Sequence, residues 1–302
     1  MTETVKVKQP IRKISFQGLE IGGENDFLAS KPVLALELNI FDFSASSHIV
    51  KDWYEGKKGT GNREQNPLTS HLSPLTLISM AQQTDCDILA LKFNIPEDDL
   101  GENIKKAQDL LKELLPHIRK PLLIRGINNK SVDVKLLPAL MEVLDKAVII
   151  AFADENTYKE IVPPVVKGGH ILAIRTPIDI NLAKEMNILT SDMGLSLDKI
   201  LIDTDMGGLG YGLEYGYSIM ECIKLAAFEG DKMLSMPLIA FAGEEALKAK
   251  ETKSDTFPPS FGDFKQRSKM FELTTASAVI AAGANVIVLE NPESIGIIKN
   301  LV

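Results

Sequence analysis

Cysteine is nearly absent from this 302-residue sequence, which holds only Cys86 and Cys222. An iron–sulfur cluster or a Cys₄ zinc site takes four thiolates, so neither is expected in this chain by itself. The four histidines (His48, His71, His117 and His170) show no ligand spacing, and a metal held by this chain alone is not expected. The simplest state for both thiols is reduced, as small buried hydrophobes, in no disulfide and on no metal. Arginine is scarce too, with 6 against 27 lysines, so an arginine at a strand end stands out. A formal charge of −8 argues against a nucleic-acid partner, which calls for a basic face to meet phosphates. No apolar run approaches the roughly 20 residues of a membrane span. The opening MTETVKVKQP lacks the apolar core of a secretory signal. The expectation is a cytoplasmic protein that contacts no membrane.

What is present is ordinary for a globular protein, with 45 % apolar and 25 % charged residues. This length suits one large core or two small ones, and α/β barrels often use it as a single domain. Eight short β-rich apolar runs recur along the chain: 33–39, 88–93, 121–125, 147–153, 171–175, 200–203, 237–241 and 286–289. Runs apolar on both faces mark parallel strands covered by helices. Helical patterns follow at 75–83, 98–115, 132–144, 156–166, 178–193, 214–228, 264–282 and 292–301. Ser73-Pro74, Ser131 and Asn291-Pro292 mark starts, and Gly230 and Gly283 stand near stops. Eight strand–helix units in order predict an α/β fold of the (β/α)₈ TIM-barrel type. A doubly wound open sheet would more usually have fewer strands and a clear phosphate loop.

Before the first run, residues 4–23 alternate, break at Pro10 and end in Gly22-Gly23, which predicts an N-terminal β-hairpin. The expected division is a hairpin extension over 1–24 and the barrel over 25–302. Two connections, 40–72 and 252–262, are too long for plain turns, and both lie on the side where barrels build their sites. Within the first, residues 56–67 read equally as a surface loop or a functional one.

One stretch concentrates unusual residues. Lys199 to Glu221 begins as a buried strand, reaches Asp203 and Asp205, then has Gly207, Gly208, Gly210 and Gly212 within six positions. A helix is predicted from near Glu214. On an extended strand the two aspartates project to the same face. The glycines let the backbone approach a ligand or another chain closely. The stretch is neither a Walker A loop nor a GxGxxG fingerprint. A plain strand-to-helix turn with the acids as caps is the other reading.

In a barrel every strand end points into one basin. That basin would hold Glu37, Asn39, Lys92, Asn94, Arg125, Asp154, Asn156, Arg175, Asp203, Asp205, Glu244, Glu245 and Glu290. No histidine ends a strand, so no Ser–His–Asp or Cys–His set is evident. A polar rim without a nucleophile suits a large polar ligand or a docked partner better than covalent catalysis. Arg125 and Arg175 would meet a carboxylate or phosphate, or else pair with neighbouring acids.

Several segments then become familiar: PIDINLAK from Pro177, GGLGYGLEY from Gly207, DKML from Asp231, GEEA from Gly243 and KAKE from Lys248. Gly22-Gly23-Glu24 and NTYK from Asn156 agree with them. From about Ile21 onward the chain resembles the small (delta) subunit of the corrinoid iron–sulfur protein of acetyl-CoA decarbonylase/synthase. The resemblance implies a barrel paired with a large subunit that carries the iron–sulfur cluster and the cobalamin domain, with the barrel's top covering the cobalamin. It implies transient contact with a methyltetrahydrofolate- or methyltetrahydropterin-dependent methyltransferase and with acetyl-CoA synthase. It places Asp203, Asp205, Gly207, Gly208, Gly210, Tyr211, Gly212, Glu214, Tyr215, Asn156 and Arg175 at the shared cobalamin. The chain lacks an Asp-x-His-x-x-Gly cobalamin motif, so cobalamin would be shared with the partner rather than held alone. It departs from the family at Glu290-Asn291-Pro292, where Arg-His-Pro is usual, at Leu247, Phe261 and Phe271, where tryptophan is usual, and at Ile127-Asn128, where a cysteine is common. Two other roles stay open: a stand-alone pterin-dependent methyltransferase, with Asp203, Asn39 and Asn156 lining a pterin pocket, and a scaffold that touches no cofactor.

Overall fold

The structure is a computed structural model and describes residues 7–26, 31–56 and 73–302. The chain opens with an antiparallel hairpin of β1 (Lys13–Phe16) and β2 (Leu19–Gly22). After it come β3 (Val33–Asn39), α1 (His48–Gly56), α2 (Pro74–Gln82), β4 (Ile88–Lys92), α3 (Leu100–Leu114), β5 (Leu122–Arg125) and α4 (Lys130–Met141). The second half continues with β6 (Ile149–Ala153), α5 (Tyr158–Gly168), β7 (Ile171–Arg175), α6 (Ile180–Asp192), β8 (Ile200–Asp203) and α7 (Leu213–Phe228). It ends with β9 (Leu238–Ala240), α8 (Ala242–Lys248), α9 (Phe264–Ala281), β10 (Val286–Leu289) and α10 (Pro292–Leu301). Strands β3 to β10 close into one parallel barrel in chain order, with β10 beside β3. The predicted (β/α)₈ barrel with its N-terminal hairpin is what the chain forms.

The period of two along each strand sorts the core into two parts. In β3, Leu34, Leu36 and Leu38 pack outward into the large cluster shared with the helices, while Val33 and Ala35 face the lumen. The lumen cluster continues with Ile88 and Ala90, Leu123, Ile149 and Ala151, Ile171 and Ala173, Leu201, Ile239, and Val286 and Val288. One step further along the lumen rows, the apolar residues give way to Glu37, Lys92, Arg125, Arg175, Asp203 and Glu290. The same alternation that builds a dry core therefore ends in a charged layer.

The hairpin seals the other end. Ile14, Phe16 and Ile21 join the lumen cluster, with Leu19 packed against it. Gln17 Nε2 donates to the carbonyl of Ala147, 2.6 Å away and just ahead of β6, and Arg12 N donates to Ser235 O at 2.6 Å. Lys224 Nζ lies 2.8 Å from Glu24 Oε1, and Asn285 also bonds that oxygen. A Cβ at Gly22 would lie 2.4 Å from Arg12 O, so the chain can leave β2 here only as glycine, at φ 76°. The hairpin lies wholly after Pro10. Alternation at 7–8 gives no strand, and residues 4–6 fall outside the described part.

Helix starts follow capping chemistry. Ser73 Oγ accepts from Thr76 N at 3.2 Å with Pro74 in the first turn, and Asn291 Oδ1 accepts from Glu293 N at 3.0 Å ahead of Pro292. The fourth helix starts at Lys130, and its cap is Asn129 rather than Ser131. Two helices that the pattern did not show appear: α1 lies in the first long connection, and α8 ends just before the second. The remainder of the 56–67 segment, from residue 57, lies outside the described residues. Cys86 is buried, as expected, but Cys222 is exposed on α7, so the expectation of two buried thiols fails for one. Its helical position turns it away from Met220 and Ile223, which the core takes.

Candidate functional site

Two charged groups meet at the carboxyl ends of the strands. The first forms around Arg175, which is registered beside Asp203 on the neighbouring strand. Arg175 Nε lies 2.7 Å from Asp203 Oδ2, and Arg175 Nη1 lies 3.2 Å from Asp205 Oδ1. The guanidinium rests on the Phe152 ring, with Cζ 3.5 Å from its centroid. Phe152 meets Phe241 edge-on at 4.5 Å, and these two rings form an aromatic layer under both mouth arginines. Arg175 is thus committed to acids, the alternative to binding a carboxylate or phosphate. Burial pushes the Asp203 carboxyl up, against the pull of Arg175.

Asp203 and Asp205 do share a cation, but not by strand alternation. The strand ends at Asp203, and Asp205 takes φ 47°. Its N–H bonds back to Asp203 Oδ1 at 3.0 Å, an Asx-type turn that redirects the chain.

The glycines that follow divide in function. A Cβ at Gly207 would lie 2.2 Å from Tyr211 O, and one at Gly208 would lie 2.5 Å from Glu245 O. These two let the loop fold on itself and press against α8. Gly212 takes φ 101° at the residue before α7. Gly210, at φ 76°, has nothing within 4 Å of where a Cβ would stand. Around Gly210 the loop is outward, with Tyr211 48 % exposed, and the first turn of α7 follows it, with Tyr215 62 % exposed and Glu214 exposed. Tyr211 Oη donates to Glu251 Oε2 at 3.1 Å and accepts from Lys250 N at 3.3 Å, which anchors the tip on the turn after α8. Asn156 stands apart, exposed before α5, with its N–H on Asp154 Oδ1 at 2.9 Å. Among the described residues no hydrogen bond joins Asn156 to the loop.

The second group lies across the mouth. Arg125, fully buried, has Nη2 2.7 Å from Glu244 Oε2 and Nε 3.5 Å from Glu37 Oε2. Lys92 Nζ sits 3.0 Å from Glu244 and 3.9 Å from Glu37. Lys248 closes the set on Glu245 at 2.6 Å and Glu244 at 3.5 Å. Though buried, Glu244 is held well below the usual carboxylate range by Arg125 and Lys92. Glu290 is the counterexample: burial, Glu37 and Glu244 push its carboxyl up to about 8 despite Lys92. A cavity of about 450 Å³ opens beside it, with Asn39, Lys92, Glu244 and Lys248 in its wall. Asn39 lines this cavity but Asp203 and Asn156 do not, so the three residues offered for a pterin pocket do not share it. Phe152 and Phe241 were missed as mouth residues. The signal for Phe241 was its alternation with Ile239, and Phe152 lies at a register shift that no alternation shows. Among the described residues no three His, Cys, Asp or Glu side chains are grouped to hold a metal ion, and no helix is long and apolar enough to cross a membrane.

Comparison with known proteins gives the lineage. Residues 78–297 match the family described as the CO dehydrogenase/acetyl-CoA synthase delta subunit. The chain is 26 % identical over 197 residues to the acetyl-CoA decarbonylase/synthase complex subunit delta of Methanopyrus kandleri, covering 65 % of this chain and 48 % of that one. It is 29 % identical over 206 residues to the corresponding subunit of Methanosarcina mazei, covering 65 % and 47 %. The chain spans about half the length of the curated relatives it matches. Among solved structures, dihydropteroate synthase from Xanthomonas albilineans in complex with 7,8-dihydropteroate superposes with a TM-score of 0.59 at 9 % identity, over 96 % of each chain. That likeness concerns the barrel fold alone. With the family match covering well over half of its length, the chain belongs to the CO dehydrogenase/acetyl-CoA synthase delta subunit family.

Proposed function

We propose that this chain is the small subunit of a corrinoid iron–sulfur pair. Its barrel mouth would cover the cobalamin carried by a large subunit that also holds the iron–sulfur cluster. The pair would pass a methyl group between a pterin-dependent methyltransferase and acetyl-CoA synthase. The observation that carries this reading is the loop after β8 with the first turn of α7, which together turn Tyr211 and Tyr215 outward while the charges beneath them neutralise one another. A rim of flat, polar-tipped rings over a filled lumen suits a broad ligand lying on the face better than a small one sinking into the barrel.

The residues fit a corrin in that sense. Gly210 leaves room for close approach, Tyr211 and Tyr215 offer ring faces, and Tyr215, Glu214 and Asn156 offer polar tips to a macrocycle bearing amides. Gly207, Gly208 and Gly212 shape the loop, and Arg175 with Asp203 and Asp205 fixes its root. Bound cobalamin would supply the cobalt that carries the methyl group. The residues of this chain would orient the corrin and exclude water, so no turnover is assigned to the chain alone.

The test is coexpression with a candidate large subunit, followed by size exclusion and a visible spectrum. A stable complex whose cobalt spectrum changes on adding this chain is expected. Tyr215→Ala should weaken pairing or change that spectrum without altering the melting temperature. A chain that elutes alone, or a Tyr215→Ala variant that behaves as the wild type, overturns the reading.

A further inference from the structure

The mouth cavity has its own chemistry, apart from the tyrosine loop. At about 450 Å³ it falls within the range of small-molecule sites and exceeds the room a few waters take. Its floor and walls come from the ends of β3, β4 and β10, from α8, and from the start of α1. Most of the charge around it is paired, with Lys92 and Arg125 on Glu37 and Glu244, and Lys248 on Glu244 and Glu245, while Lys253, after α8, stands exposed at the rim with no ion pair among the described residues.

Among the buried charges Glu290 is the exception. It is 8 % exposed, and its carboxyl has neither a hydrogen bond nor an ion pair among the described residues. Its backbone is nonetheless fixed, because Glu290 N donates to Glu272 Oε1 at 2.8 Å. Across the cavity Asn39 gives its Nδ2 to Ser46 Oγ at 3.2 Å, so its Oδ1 is an acceptor with no partner among the described residues. Two acceptors therefore face the same space, one of them an acid. A buried carboxyl without a partner is unfavourable until it takes a proton or meets a cation. An anion would meet Glu290 with like charge and find the deep cations already engaged. A divalent metal would need more ligands than this wall groups together.

The geometry points to a binding site in this cavity for a compact organic cation with adjacent N–H groups, such as an amidinium or a protonated 2-aminopyrimidine edge. Two parallel N–H groups match the two oxygens of Glu290, the bidentate arrangement that gives charge-assisted pairs their strength and direction. Asn39 Oδ1 takes a further N–H. The inference does not rest on the corrin reading, since every group it uses belongs to this chain.

A proton signature comes with it. Glu290 is faced by Glu37 from β3, Lys92 from β4, Arg125 from β5, Glu244 and Lys248 from α8, Lys253 after α8, Glu272 from α9 and His48 from α1. Burial and the acids among these groups raise its carboxyl to about 8, so near neutrality it holds a proton that an arriving cation displaces. Isothermal titration of the 302-residue chain with benzamidine, in two buffers of different ionisation enthalpy, reads both binding and proton release. Saturable binding with release approaching one proton is expected near neutrality. Glu290→Gln, equal in size, should fold, weaken benzamidine by about tenfold or more, and abolish the proton release. Asn39→Asp, which adds an acid to the same wall, should tighten it. No saturable binding at about 10 mM benzamidine, or equal affinity in wild type and Glu290→Gln, overturns the proposal.

Discussion

Replacing Glu290 by glutamine should change how stability depends on pH, and the size of the change follows from its surroundings. The carboxyl sits at about 8 in the folded chain against an ordinary 4.5, because burial and its acidic neighbours oppose ionisation. The folded state therefore holds this proton more tightly than the unfolded state. Stability from the protonated group is fully present below the ordinary value and falls as pH rises toward 8. Each pH unit in that window is worth about 1.4 kcal/mol, so the full loss is of order 5 kcal/mol. Glutamine keeps the shape and the hydrogen-bonding reach but does not titrate. Urea unfolding followed by circular dichroism should show wild type and Glu290→Gln differing little near pH ~5 and the variant several kcal/mol more stable near pH ~9. Asp133, Asp203, Glu245 and Glu272 are also raised by burial, but they are common to both chains and cancel in the difference. A difference that stays constant across this range would refute the account of Glu290 as a buried acid without a partner.

Three further perturbations have definite outcomes. Arg125→Ala should destabilise by about 3–5 kcal/mol, because Glu37 and Glu244 lose their buried partner; adding Glu37→Gln should recover part of it in the same denaturation assay. Phe16→Ala should lose about 3–5 kcal/mol by opening a cavity at the hairpin end of the lumen, seen as a lowered thermal midpoint. Gly208→Ala should lose about 1–3 kcal/mol as its Cβ meets the Glu245 carbonyl, whereas Gly296→Ala, with open space inside α10, should gain up to about 1 kcal/mol.

The barrel was legible because each strand is apolar on both faces and each helix carries its own stop and start signals. VLALELN needs no partner to declare itself a buried strand, and its parity also says which residues look inward. What parity does not show is who meets whom. Arg175 reaches Asp203 because two strands align in one register, and it reaches Asp205 because the chain turns at positive φ. Neither fact is written in local composition. The same limit applies to Gly207 and Gly208, whose close neighbours are Tyr211 and a carbonyl on α8. Alternation at TVKVK suggested a longer hairpin, but strand pairing begins only after Pro10, at Lys13. The helix α1 sat inside a stretch read as a connection and α8 in an unassigned stretch between a strand and a connection, and Cys222 was read as buried because free cysteine usually packs as a small hydrophobe.

The hairpin that closes the barrel also bears on the order in which the chain folds. Its side chains and the turn after it reach across 130 residues to Ala147, 200 to Lys224 and 261 to Asn285. Contacts of such separation are entropically late, because the intervening chain must be ordered before they form. The segment that precedes the barrel in sequence is therefore expected to dock only once the far half of the barrel is in place. It should act as a latch: weakening it would speed unfolding while leaving the rate of barrel formation nearly unchanged.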